Sequence, residues 1–199
     1  MKKLILFILI TGVFAIAQAP QPKAKEAGWI PLFDGRTLSG WHPEGDAQWR
    51  TEGGALVSDQ GGDGWLRSDK TYGNFLLRVD FRNSPKGNSG VFLRATRETN
   101  AKEHCNPAGG YELQINNEDP KWATGSIEDV IQRIAPVNPA PNEWHTYNVE
   151  VRGDRIVASL DGKKVLDGHD SKIASGCLGL QHHKGMKIEF RRIGIKPLP

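Results

Sequence analysis

With 199 residues, 38% of them apolar, the chain is long enough for one domain with a sizeable core. Its 26 Lys+Arg and 23 Asp+Glu are scattered, with no basic stripe, which argues against a nucleic-acid partner.

The first 17 residues read as a secretory signal peptide. Lys2 and Lys3 precede an apolar run from Leu4 to Ile16, and Ala15-Ile16-Ala17 supplies small residues for cleavage before Gln18. That run is short for a membrane span, so none is expected after cleavage. The product is expected to be exported, in the periplasm or outside the cell. Residues 18–27 form a polar, proline-containing linker, and one domain is expected over 28–199. In an exported protein the two cysteines, Cys105 and Cys177, predict a single disulfide, the rival reading being two unpaired buried thiols.

Beyond the linker nearly every segment reads as strand and turn. Residues 75–82 put Phe75, Leu77, Val79 and Phe81 on one face. Asn88-Ser-Gly-Val-Phe-Leu-Arg94 and Tyr111-Glu-Leu-Gln-Ile115 follow, each with polar groups on one side. Residues 96–110 and 117–142 are irregular, with a helical turn expected around 127–134. Tyr147, Val149 and Val151 alternate, Gly153-Asp154 turns the chain, and Ile156, Ala158 and Leu160 alternate in return. Asp161-Gly162 signals a hairpin into Val165. In the last strand the period slips at Arg191-Arg192, which predicts a β-bulge. Many alternating strands joined by turns predict an all-β sandwich of two antiparallel sheets.

Side chains alternate across a strand, so Glu112, Gln114 and Asn116 share one face, and Asn88, Phe92 and Arg94 share another. A carboxylate, carboxamides, a guanidinium and an aromatic make a hydrogen-bonding surface suited to a sugar. The competing reading is an ordinary solvated face.

These segments, with the opening Gly28-Trp-Ile-Pro-Leu-Phe-Asp-Gly-Arg-Thr-Leu-Ser-Gly-Trp41, carry a resemblance. Gly73-Asn-Phe75, Asn88-Ser-Gly90, Arg94, Tyr111-Glu-Leu-Gln114, Thr124-Gly125, Asn142-Glu-Trp144, Leu160-Asp-Gly162, Gly179-Leu-Gln181 and Phe190-Arg191 follow in order. Together they resemble the 3-keto-disaccharide hydrolase domain family from Gly28 to Pro199. The resemblance implies a concanavalin A-like jelly roll and cleavage of glycosidic bonds in sugars oxidised at C3, by hydrolysis or by lyase and hydratase steps. The chain departs from the family at Ile127-Glu128-Asp129, where an aromatic is usual, and at Arg191-Arg192, where Arg-Asn is usual.

A ketone at C3 acidifies the C2 hydrogen. Deprotonation gives an enolate that expels the C1 substituent, and water then adds back. The site needs a base, a stabiliser for the enolate oxygen and an acid for the leaving oxygen. Glu112 is the leading base, or a structural partner of Arg94. Arg94 would hold the oxyanion. His183 would serve as acid or base, and His104 in the long loop is a further candidate. Asn88, Gln114 and Gln181 would orient hydroxyls. Trp41, Trp65 and Trp122 would stack on a sugar ring, Trp122 first among them because of its polar loop. Trp29, Trp49 and Trp144 are expected in the core or at sheet edges. A divalent metal ion at Glu112 and the histidines is an open cofactor, since no tight ligand spacing specifies one. A lectin-like carbohydrate-binding module without catalysis is the alternative. An ordinary two-carboxylate glycosidase is disfavoured because Glu112 has no second carboxylate on its strand.

Overall fold

The computed structural model describes residues 27–96 and 109–199. The signal peptide, most of the linker, His104 and Cys105 lie outside the described residues. Among the described residues eleven strands form an antiparallel sheet that curls on itself: β1 (Ile30–Pro31), β2 (Trp41–Glu52), β3 (Ala55–Tyr72), β4 (Phe75–Asn83), β5 (Asn88–Ala95), β6 (Tyr111–Asn116), β7 (His145–Arg152), β8 (Arg155–Leu160), β9 (Lys163–His169), β10 (Gly176–His182) and β11 (Ile188–Pro197). The hydrogen-bonded order is β6-β5-β10-β3-β11-β4-β7-β8-β9, with β2 on β3 and β1 on β11. The long β3 joins the two halves, pairing β11 through residues 56–58 and β10 through residues 64–72. No α-helix occurs among the described residues.

Curling brings the apolar faces together. Val91 and Leu93 of β5, Leu113 and Ile115 of β6, and Leu180 of β10 share one buried cluster with Leu77, Phe81, Val149, Ile156 and Phe190. The Tyr147 hydroxyl on β7 donates to the Gln114 carbonyl on β6 at 2.7 Å, so the sheet's two ends meet through the core. This is the all-β jelly-roll architecture that the alternation predicts.

The slip at Arg191-Arg192 is a bulge: the β11–β4 register shifts between Arg191 and Gly194, and Arg192 has φ 47°. The helical turn expected around 127–134 is absent. Ile127 and Ile131 instead exchange N–H···O bonds of 2.8 and 3.0 Å around Asp129, whose φ is 57°. The clip lays Ile127 against Leu113 as an antiparallel bridge at the free edge of β6. Satisfying that edge outweighs a single isolated turn of helix.

Candidate functional site

The register places the polar groups of the central strands in rows on the face turned away from the core. Glu112, Phe92, Gly179 and Arg67 lie in one row, and Gln114, Gly90, Gln181, Trp65 and Glu44 in the next. Asn116 and Asn88 form a third. This face is not solvated. Glu112 is 9% exposed, Gln114 3% and Gln181 9%, and Phe92 is buried beside Trp65, ring edge to ring face at 6.3 Å.

Buried polar atoms are normally hydrogen-bonded. Here Glu112 Oε1, Gln114 Oε1, Gln181 Oε1, Asn88 Oδ1 and Trp65 Nε1 have no partner among the described residues. Four are acceptors and one is a donor, all on one surface. The orientation of Gln114 is set because its Nε2 donates to Glu128 Oε2 at 2.7 Å, which leaves its buried oxygen unpartnered. Gln181 hydrogen-bonds the Glu112 carboxyl. Such a surface takes a ligand rich in hydroxyl donors, with Phe92 and Trp65 offering apolar edges.

Glu112 is the most perturbed group on this face. Burial, reinforced by the adjacent Glu128 carboxyl, pushes it up to about 9, while its hydrogen bond with Gln181 acts weakly in the other direction. At neutral pH it therefore carries its proton. Glu128 reaches it through backbone pairing, since its N–H donates to the Glu112 carbonyl at 3.0 Å. Sequence reasoning identified positions 127–129 as part of a helical turn and as a departure from the family. Nothing local in the sequence sets Glu128 opposite Glu112; the bridge to β6 does.

Gly90 is the floor beneath Glu112. A Cβ at residue 90 would lie 2.6 Å from Glu112 Cγ and 2.9 Å from its Cδ. Gly90→Ala is therefore expected to displace the Glu112 side chain, leaving far-ultraviolet dichroism unchanged while moving the Glu112 titration toward the ordinary carboxylate range. An unmoved titration would show that the carboxyl has another resting place.

Of the residues singled out in the sequence, Asn88, Glu112, Gln114, Gln181 and Trp65 come together here. His183 stands just beyond β10, its Nδ1 3.2 Å from Asp63. Its neighbour His182 is buried, with its ring nitrogens 3.0 Å from the Gly62 carbonyl and 3.1 Å from that of Met186. Trp122 sits near the Asn116 end of β6, its ring under the Lys121 ammonium at 4.8 Å.

Two expected site residues lie elsewhere. Arg94 does not share the face of Asn88 and Phe92 and does not pair with Glu112. The β5–β10 register shifts between Phe92 and Ala95, and Arg94 takes φ 52°. This bulge turns its guanidinium away from Glu112, 1% exposed, to donate to the carbonyls of Gly73 (2.8 Å), Gly153 (2.7 Å) and Ile173 (2.9 Å). Trp41 is not available for stacking: its ring is in the core and its Nε1 donates to the Leu32 carbonyl at 2.6 Å. Cys177 is buried in the small cluster of Phe92, Ala95 and Trp65, while its expected partner Cys105 lies outside the described residues. No group of three or more His, Cys, Asp or Glu among the described residues is arranged to hold a metal ion.

Known proteins resemble this chain in sequence and in fold. A 3-keto-disaccharide hydrolase from Bacteroides thetaiotaomicron is 28% identical, with the match covering 71% of this chain and 59% of the relative. The chain thus spans about three-fifths of that relative's length. A candidate glycosyl hydrolase from Parabacteroides distasonis superposes with a TM-score of 0.75 at 22% identity, over 86% of this chain and 94% of that one. A carbohydrate-binding module from Bacillus subtilis has the same fold, with a TM-score of 0.60 at 19% identity over 77% of this chain and 93% of the module. The 3-keto-alpha-glucoside-1,2-lyase-like domain description matches residues 28–196, most of the chain and every strand that builds the polar face, and the chain belongs to that family.

Proposed function

We propose that this protein cleaves the glycosidic bond of 3-keto-glycosides by C2 deprotonation, elimination and rehydration, a net hydrolysis, on the face built by β5, β6 and β10. One observation carries the reading. Glu112 is a buried carboxyl that holds its proton at neutral pH, surrounded by buried, unpartnered acceptors whose chemistry suits a sugar's hydroxyls. Family membership and the Bacteroides thetaiotaomicron relative support the substrate class.

The carbonyl chemistry supplies the steps. Loss of the C2 proton gives an enolate, the C1–O bond breaks, and the departing oxygen takes a proton. Water then adds across C1 and C2, restoring the ketone sugar with a hydroxyl on C1. The sequence marks Glu112 as the base, but its raised affinity for protons makes it the acid of the resting site, positioned to protonate the leaving oxygen. Asn88, Gln114 and Gln181 would hold hydroxyls, with Trp65 Nε1 donating to a ring or carbonyl oxygen.

The leader over residues 1–17 and the pair Cys105 and Cys177 support an exported, disulfide-bonded form. Among the described residues no helix is long and apolar enough to cross a membrane.

The test is incubation with a 3-keto-disaccharide beside its unoxidised parent. Release of both sugars from the oxidised substrate alone is the expected result. Binding of either sugar without turnover would replace this reading with that of a carbohydrate-binding module.

A further inference from the structure

We propose that Glu128 is the second proton-transfer residue, forming with Glu112 a one-proton carboxyl pair that performs both halves of the elimination; this rests on the function proposed above. The geometry is that of direct cross-strand neighbours. The Ile127–Leu113 bridge sets residue 128 opposite 112 and residue 126 opposite 114. Two carboxylates so placed repel unless one proton lies between them. Gln114 Nε2 donates to Glu128 Oε2 at 2.7 Å, so that oxygen acts as an acceptor. Glu112, the more buried of the two, then carries the shared proton.

The surroundings add little competing charge. On β5 the neighbours are Asn88, Gly90 and Phe92, and on β10 Gly179 and Gln181, all uncharged. Farther along the rows, Arg67 and Glu44 are ion-paired to each other at 2.6 Å. His183 and Asp63 face each other beyond the end of β10. On its own segment Glu128 adjoins Asp129, which is exposed, and Arg133, whose guanidinium donates to the carbonyls of Thr124 and Val137.

In the elimination Glu128 removes the C2 proton as the enolate forms. Glu112 delivers its own proton to the C1 oxygen as that bond breaks. The pair ends with its proton on Glu128 in place of Glu112, and its charge is unchanged. Addition of water returns a proton from Glu128 to C2 and one from water to Glu112, restoring the start. Two carboxyls on cross-strand neighbours suit this exchange.

The test separates the half-reactions in deuterium oxide with a 3-keto-disaccharide. Glu112→Gln is expected to exchange the C2 hydrogen with solvent while cleavage falls by about 10²-fold or more. Glu128→Gln is expected to lose exchange and cleavage together. In parallel, an infrared titration of the carboxyls in the sugar-free protein is expected to move Glu112 toward the ordinary range in Glu128→Gln. Wild-type cleavage rates in Glu128→Gln would overturn the proposal, as would an unmoved Glu112 titration. If the wild type cleaves no 3-keto-glycoside, the proposed function fails, while the titration still decides whether the pair shares a proton.

Discussion

Glu112→Gln is expected to reduce turnover of a 3-keto-disaccharide by about 10²–10⁴-fold, the usual contribution of a positioned acid or base, without weakening the fold. A glutamine matches a protonated glutamate in size and in having one donor side and one acceptor side, so the hydrogen bonds around position 112 survive. The stability effect also has a sign. The unfolded chain releases this proton near the ordinary carboxyl value, whereas the folded protein retains it up to about 9. The contribution is therefore fully present at acid pH. It declines as pH rises through that window, by about 1.4 kcal/mol per unit. Glu112→Gln removes the decline, so the variant should match the wild type near pH 4 and melt higher at pH 8. Thermal melts across that range, set beside turnover, check both halves. A variant less stable than wild type at pH 8 would mean that Glu112 is ionised in the folded protein.

Arg94→Met is expected to damage stability and spare chemistry. The guanidinium ties together the β3–β4 turn at Gly73, the β7–β8 turn at Gly153 and the segment at Ile173, with Asn74 Oδ1 also 3.3 Å away. No carboxylate among the described residues pairs with it, so every one of these bonds runs from a charged donor to a neutral acceptor. Such bonds contribute about 1.5–3 kcal/mol each, and methionine leaves the carbonyls buried without donors. Relief from burying the charge offsets part of the loss. A net cost of about 4 kcal/mol corresponds to a melting temperature lower by about 10 °C in a chain of this size. Below the transition, kcat and KM should equal those of the wild type. A large fall in kcat with an unchanged melting temperature would return Arg94 to the reacting centre.

How far the sequence reaches differs from one residue to the next. Alternation of period two is a local property, so the face shared by Glu112 and Gln114 is legible without knowing any partner strand. The same arithmetic fails for Arg94, because a bulge adds a residue and reverses the parity beyond it. The slip at Arg191-Arg192 is visible because apolar residues flank it. The one at Arg94 is hidden, because an arginine there reads as the next polar residue in the pattern. Trp41 belongs to the apolar opening segment, and only packing shows that its indole nitrogen is spent on Leu32.

By itself, the sequence determined an all-β chain, the strands that line the face, and the polar side chains Asn88, Glu112, Gln114 and Gln181 on it. These follow from periodicity and from ordered motifs spread over the domain. Tertiary structure alone decided the burial of that face, the upward push on the Glu112 carboxyl and the placement of Glu128 opposite it. Burial and electrostatic coupling depend on distances between segments remote in sequence. The loop bearing Glu128 reads as an irregular connection until the unsatisfied edge of β6 draws it into register.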